Sequence, residues 1–360
     1  PNDIGWITFE QNWYQIWANL KYKLKGGKEF GNFQRGELSL DYARRLSMLE
    51  NYDMGSEINL RMTLITKKFR QIKAGTALIS PLGGYDLWET RGLWVWAKPK
   101  GAELSGEFST DDRKKWKLTP KASIRKYDNK GSEYMMDLLG TIIPGTKVSL
   151  SAEIKGSWED DKTAWASNET FFKDDTGWKI GNLSASPDNL TLEDLTAFND
   201  DGTLATILAD VKEYKPGWYY VPVFGVRDTR SADLTVRGSL TLTSRFSMQL
   251  YSQFFAAKGR YRNFSILANP DKMVPFPEYP KKRDFNYKNL QSNFVTRWEY
   301  RPGSAIYFVW SHSRRKDEEM NPLAPWGDAL YEQSLGGQIS ELFRAFPRNS
   351  FMIKIDYAFH

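Results

Sequence analysis

Cysteine is absent from this 360-residue chain, and histidine occurs only at His312 and His360. The first absence excludes a disulfide framework and any thiolate metal site. The second leaves a Ser/His/Asp hydrolase dependent on His312, in Ser311-His312-Ser313 at the end of an alternating run. His312 continues the apolar face of Ile306, Phe308 and Trp310, so it reads as a histidine at an apolar boundary. Long apolar runs are lacking too: none approaches the ~20 residues of a membrane-spanning helix, and mean hydropathy is −0.57. Nor is charge of one sign concentrated. The 50 basic and 44 acidic residues are dispersed and leave a net +6, unlike the one-sided basic patch of a nucleic-acid binder. These absences argue against an enzyme, a metal, a cofactor or a nucleic-acid partner.

What the chain has is aromatic residues: 14 Trp, 18 Tyr and 21 Phe, 15% of the total. Amphipathic rings collect where hydrocarbon meets water. It also has strict alternation. In Asn293–Arg315, two such runs flank Arg301-Pro302-Gly303-Ser304, a turn in which Pro and Gly supply the special backbone angles. Phe294, Thr296, Trp298 and Tyr300 share one face; Asn293, Arg297 and Glu299 share the other, with Val295 the apolar exception. The closing run Ser350–His360 sets Phe351, Ile353, Ile355, Tyr357 and Phe359 against Lys354 and Asp356.

The same scheme runs through the chain. Leu20, Tyr22 and Leu24 oppose Lys21, Lys23 and Lys25; Leu38, Leu40 and Tyr42 oppose Glu37, Ser39 and Asp41. Ile58, Leu60, Met62 and Leu64 oppose Asn59, Arg61 and Thr63. Val148, Leu150, Ala152 and Ile154 oppose Ser149, Ser151, Glu153 and Lys155; Leu234, Val236, Leu240 and Leu242 oppose Asp233, Thr235, Arg237, Ser239 and Thr241. Strands that are apolar on one face and charged on the other, with no amphipathic helices to cover them, suit a wall between lipid and water. The expected fold is all-β: an antiparallel outer-membrane β-barrel of about 14–16 strands across 1–360.

Lumen-lining residues are then Lys21, Arg61, Glu153, Arg237, Arg297 and Glu299. Membrane-facing ones are Leu38, Leu60, Leu150, Leu240, Phe294, Trp298, Phe308, Ile353 and Tyr357. Short turns at Pro144, Ser244 and Pro302 suggest the periplasmic end, which makes 263–289 and 316–349 long external loops. Residues 73–90 read as a connection. Residues 173–216 lose the strand period and read as a long insertion or plug, with one short helix around Leu204–Val211. The same count places that insertion on the periplasmic side, either as a true insertion or with a hidden hairpin. Ser109–Lys114 is either a solvated rim turn or a site for an ion or anionic head group.

Several stretches resemble the family called domain of unknown function 5916: Asn2–Trp6, Arg91-Gly92, Ser109–Lys114 with Thr110, Asp111 and Arg113, Phe224–Arg230 with Leu234–Tyr251, and Gly259–Phe264. The most specific is Arg297-Trp298-Glu299-Tyr300-Arg301-Pro302-Gly303-Ser304; Leu342–Ala345 follows. The resemblance implies a Gram-negative outer-membrane barrel, commonly preceded by a carbohydrate-binding-family-9-like domain and further strands. The chain is thus similar to the carboxy-terminal portion of a longer protein, which its start at Pro1 in mid-pattern also suits. It departs from the pattern in the length of 173–216 and in ending Phe359-His360. Expected partners are membrane lipid and lipopolysaccharide, with other outer-membrane proteins or a leading part of the same protein. Two functions stay open: a channel for polar solutes such as oligosaccharides, or a non-conducting scaffold of a larger assembly.

Overall fold

The computed structural model describes residues 13–24, 31–48, 52–90, 94–175, 177–181, 196–197, 203–209, 211, 213, 216–319 and 329–358. The expectations on Asn2–Trp6, Lys25, Arg91, Gly92 and Phe359-His360 fall outside them. Strands make up 73% of the described residues. In chain order the elements are β1 Trp13–Leu24, β2 Phe33–Ser47, β3 Asp53–Thr66, β4 Gln71–Ile79, β5 Tyr85–Asp86 and β6 Trp96–Ala97. Next come β7 Gly101–Ser109, β8 Trp116–Tyr127, β9 Ser132–Gly145, β10 Val148–Asp174, β11 Gly177–Gly181, β12 Thr196–Ala197 and α1 Thr203–Leu208. The chain continues with β13 Trp218–Thr243, β14 Phe246–Asn269, β15 Lys272–Pro275, β16 Phe285–Arg301 and β17 Ser304–Glu319. It closes with α2 Ala329–Glu332, α3 Leu335–Arg344 and β18 Arg348–Asp356.

One antiparallel meander dominates, in the order β1-β2-β3-β4-β7-β8-β9-β10-β13-β14-β16-β17-β18. Strands β11, β12 and β15 attach to its side, completing a sheet of 16; β5 and β6 pair separately. The sheet does not close on itself: among the described residues β1 and β18 are its two ends.

Directly opposed residues share a face, so the register propagates the sequence alternation across the wall. Leu20 lies opposite Leu40, Leu40 opposite Leu60, Leu60 opposite Thr76, Thr76 opposite Leu104 and Leu104 opposite Ile124. At the other side Leu250 meets Phe294, Phe294 meets Trp310 and Trp310 meets Phe351. This apolar face is bare: Leu20 is 70% exposed, Leu104 64% and Ile353 67%.

Connections 67–70, 110–115, 146–147, 244–245 and 302–303 are all short and share one end of the meander, the turn end. Connections 80–100, 175–217, 270–284 and 320–347 share the other, the loop end. Two expectations are corrected here. Residues 73–90 are not one connection, because Gln71–Ile79 forms β4, paired throughout with β3 and β7. And 173–216 does not oppose the other long loops: β10 runs unbroken from the turn at Gly145 to Asp174, delivering the segment to the same end as 270–284.

That strand explains the second correction. β10, β13 and β14 are 27, 26 and 24 residues long, far beyond the ~9–11 a bilayer crossing takes. Their far halves carry a small core of their own. Phe171, Val221, Val223 and Ile266 from these strands pack with Ile180 of β11, Leu204, Ile207 and Leu208 of α1, and Phe276 and Tyr279. A second cluster joins Trp96, Phe224 and Leu267. The 80–100 connection reaches the same tips, where Ala97 donates its backbone N–H to Pro270 and Tyr85 its hydroxyl to Asp271.

Candidate functional site: the charged face of the sheet

The face opposite the bare apolar one is written in alternating charge. Lys73, Glu107, Lys121, Asp137, Lys155 and Asp233 sit directly opposite one another on successive strands, so each of the four inner charges lies between two of the other sign. Lys73 and Glu107 are 2.8 Å apart, and Lys155 turns along its own strand to Glu153, also at 2.8 Å. Unlike charges on facing strand positions stabilise the pairing modestly, where like charges would oppose it.

Nearer the loop end the charges fuse into a network. Arg125 joins Glu103 and Glu133; Lys162 joins Glu133 and Glu159, both at 2.7 Å; Arg227 joins Glu159 at 2.8 Å. Tyr127 donates to Glu133 at 3.0 Å, and Arg227 donates to the Tyr261 hydroxyl at 3.3 Å. Three cations and three carboxylates thus balance across β7 to β14. A patch so balanced presents dipoles and hydrogen-bonding groups without a strong field of either sign.

All six residues expected to line a lumen stand on this face, but they are spread along it rather than gathered. Arg61 reaches Asp41 at 3.9 Å, Glu153 holds Lys155, Arg297 holds Glu299 at 2.8 Å, and Arg237 lies 5.4 Å from the Tyr251 ring centre. Lys21 opposes Ser39 beside Arg61. Eight of the nine residues expected to face the membrane occupy the apolar side; the ninth, Tyr357, lies just past β18, where Arg301 donates to its hydroxyl. The Arg125–Lys162–Arg227 network was missed. Its trace in the sequence is that Phe224–Arg230 and Gly259–Phe264 lie face to face, Arg227 opposite Tyr261 and Asp228 opposite Arg260. On the other surface Asp228 accepts from Arg260 and Arg262, Arg230 pairs with Asp160, and Tyr331 of α2 lies 4.7 Å from Arg260.

The remaining motif residues brace turns. Asp111 accepts from the Arg113 backbone at 3.1 Å and holds its guanidinium at 2.9 and 2.8 Å, while that guanidinium lies over Phe69. The Arg113 hydrogen bonds bring the Asp111 carboxyl down to about 2. Thr110 accepts from the Leu118 backbone. The carboxylate is therefore engaged by its own turn, which favours the rim-turn reading of Ser109–Lys114 over an ion site. In the 297–304 hairpin Glu299 accepts from Arg297 and from the Gly303 backbone, and Gly303 takes φ +74° to close the turn past Pro302.

The hydrogen bonds of the His312 ring go to Asn349 and Arg314. Its Nδ1 faces Asn349 Oδ1 at 2.9 Å and its Nε2 accepts from Arg314 at 3.2 Å, on the apolar side beside Trp310. Among the described residues no group of three or more His, Asp or Glu is placed to hold a metal, and no helix is long and apolar enough to cross a membrane.

The family model described as "Domain of unknown function (DUF5916)" matches residues 1–205 and 213–359. No curated protein matches the chain in sequence. Among solved structures the chain is similar to a NanC porin in a rhombohedral crystal form, at 8% identity and a TM-score of 0.22 over 85% of this chain and 94% of that one.

Proposed function

The chain belongs to the DUF5916 family, and from that premise we propose that it forms wall of an outer-membrane β-barrel that passes polar solutes. One observation carries the reading: a continuous sheet with one bare apolar face and one charged face. Soluble proteins seldom expose apolar patches above a few hundred Å², and here large apolar side chains stand out from β1 through β18. Hydrocarbon is the medium in which such a surface is stable, with membrane lipid and lipopolysaccharide as its neighbours.

Lipid also dictates closure. An open edge in hydrocarbon leaves backbone N–H and C=O groups without partners, at several kcal/mol each. Among the described residues β1 and β18 each have one unpaired edge, and we take these edges to be completed by further strands, from the same protein or from another chain. Once closed, the wall turns its balanced charges inward. Alternating signs favour neutral polar solutes over ions of one sign, and the leaning towards oligosaccharides comes from the family resemblance alone. No residue is assigned a catalytic role.

Planar-bilayer recording of the full-length protein tests the channel. Ohmic single-channel conductance is expected, and E133Q/E159Q, which leaves Arg125, Lys162 and Arg227 in excess, shifts the reversal potential towards anion preference. A sealed, silent barrel contradicts the channel. The second reading, a scaffold, draws support from the packed loop-end structure in which the 80–100 connection is bonded across to Pro270 and Asp271, in the turn after β14. A stoichiometric partner copurifying from gently solubilised membranes favours it.

A further inference from the structure

Helix α3 buries one apolar residue, Leu342, together with Gln338, and leaves three apolar residues outside. Its polar side is fastened to the sheet: Gln338 donates to Asn286 at 3.1 Å, Glu341 accepts from Lys288, and Arg314 donates to the carbonyls that end the helix, at Phe343 and Ala345. Asn286 and Lys288 are wholly buried beneath it. Both are even-numbered positions of β16, on the same face as Phe294 and Trp298. So α3 lies against the apolar side of the wall, near the loop end, and covers the place where that face turns polar.

Apart from the buried Leu342, its apolar row points away. Leu335, Ile339 and Phe343 recur at four-residue spacing and are 48%, 36% and 58% exposed, where a globular protein would turn such a stripe inward. The stripe is continuous with the wall. Phe343 lies under the Arg314 guanidinium at 5.5 Å, Arg314 donates to His312, His312 touches Trp310, and Trp310 stacks on Phe351. Aromatic and basic residues in that order, from bare strand to helix, are the composition of a membrane–water boundary.

We propose that α3 is an interfacial helix that lies in the plane of the bilayer surface at the loop end, its Leu335–Ile339–Phe343 stripe sunk into the head-group and acyl boundary. The proposal rests on the reading that the apolar wall meets lipid, and it names lipid, not a protein, as the occupant of the stripe. Helices of this kind bury an apolar face about 5–10 Å below the head groups. Here the polar bonds to Asn286, Lys288 and Arg314 fix the height of the helix, and hence the depth at which the barrel sits.

The absence of cysteine makes the test direct. I339C, F343C and, as a wall reference, I353C are each labelled with a small fluorophore in full-length protein reconstituted into phosphatidylethanolamine–phosphatidylglycerol vesicles. Quenching by lipids carrying a nitroxide high on the acyl chain is compared with quenching by aqueous iodide. The proposal expects positions 339 and 343 to be quenched by the shallow nitroxide lipid and shielded from iodide. If 353 responds to lipid while 339 and 343 respond only to iodide, the helix is in water: the proposal falls and the barrel stands. If 339 and 343 are shielded from both quenchers, protein covers the stripe and the proposal falls equally. If 353 also ignores lipid, the barrel reading itself fails. Circular dichroism of each variant confirms that the sheet has formed.

Discussion

Glu169 and Lys281, 112 residues apart in sequence, meet at 2.7 Å with their side chains 0% and 5% exposed. Around them Tyr279 donates to the same carboxylate at 2.6 Å, with Ser167 and Arg283 completing the set. Burial raises the Tyr279 phenol above its ordinary range, and the adjacent Glu169 raises it further. This cluster ties the 276–284 connection to the tip of β10. Removing one partner strands a buried charge, which costs about 3–5 kcal/mol; because Arg283 remains, K281M should lie at the lower end. Amide exchange in Phe276–Asp284 should accelerate about 100-fold, the equivalent of ~3 kcal/mol, while β2 and β3 exchange as before. Uniform acceleration across the sheet would show that the cluster supports the whole wall instead.

At the turn end, Asp111 links stability to acid. Its folded pKa of about 2 lies below the ~3.9 of an unfolded aspartate. The 110–115 turn therefore keeps its full contribution above pH 4 and loses it as pH falls towards 2. Carboxyl carbon titration in detergent micelles should give a midpoint near 2 for Asp111 and, in R113Q, a midpoint near the ordinary value. A wild-type midpoint near 4 would contradict the Asp111–Arg113 grip.

Gly84 sits where two backbones nearly touch. With φ +154°, a Cβ at this position would come within 2.4 Å of Gly55 Cα and 2.6 Å of Gly55 N. Backbone cannot swing aside as a side chain does, so G84A should cost about 1–3 kcal/mol. That loss would appear as a lower midpoint in thermal unfolding, set against G106A, where a Cβ meets nothing within 4 Å. Equal midpoints for the two variants would mean the 80–84 connection yields easily.

Legibility in the sequence followed the physics of each element. Alternation was plain in β3 and β16 because Arg61 or Arg297 breaks the apolar run at every second residue. It was hidden in β4, where Ala74, Gly75 and Ala77 carry too little side chain to mark a face. It was hidden again in the upper half of β10, where register shifts between Glu159 and Lys162 and between Trp165 and Ser167 reset the alternation. Turn counting therefore placed 173–216 at the wrong end, because 148–174 is one continuous strand. The Glu169 cluster left no trace, since Tyr279, Lys281 and Arg283 lie more than 100 residues away. Helix α3 falls inside the expected 316–349 loop because Gly336 and Gly337 weaken its start; Ser334, accepting from the Gly337 N–H at 3.1 Å, caps it.

The account stands on hydrocarbon lying against one face of the sheet and water against the other. Nitroxide scanning of residues 148–155 in reconstituted vesicles, one spin label per variant, measures this residue by residue. Collision with oxygen should peak at Val148, Leu150, Ala152 and Ile154, and collision with a water-soluble nickel chelate at Ser149, Ser151, Glu153 and Lys155. Accessibility without a two-residue period, or even positions shielded from oxygen and nickel alike by a second protein layer, would contradict it.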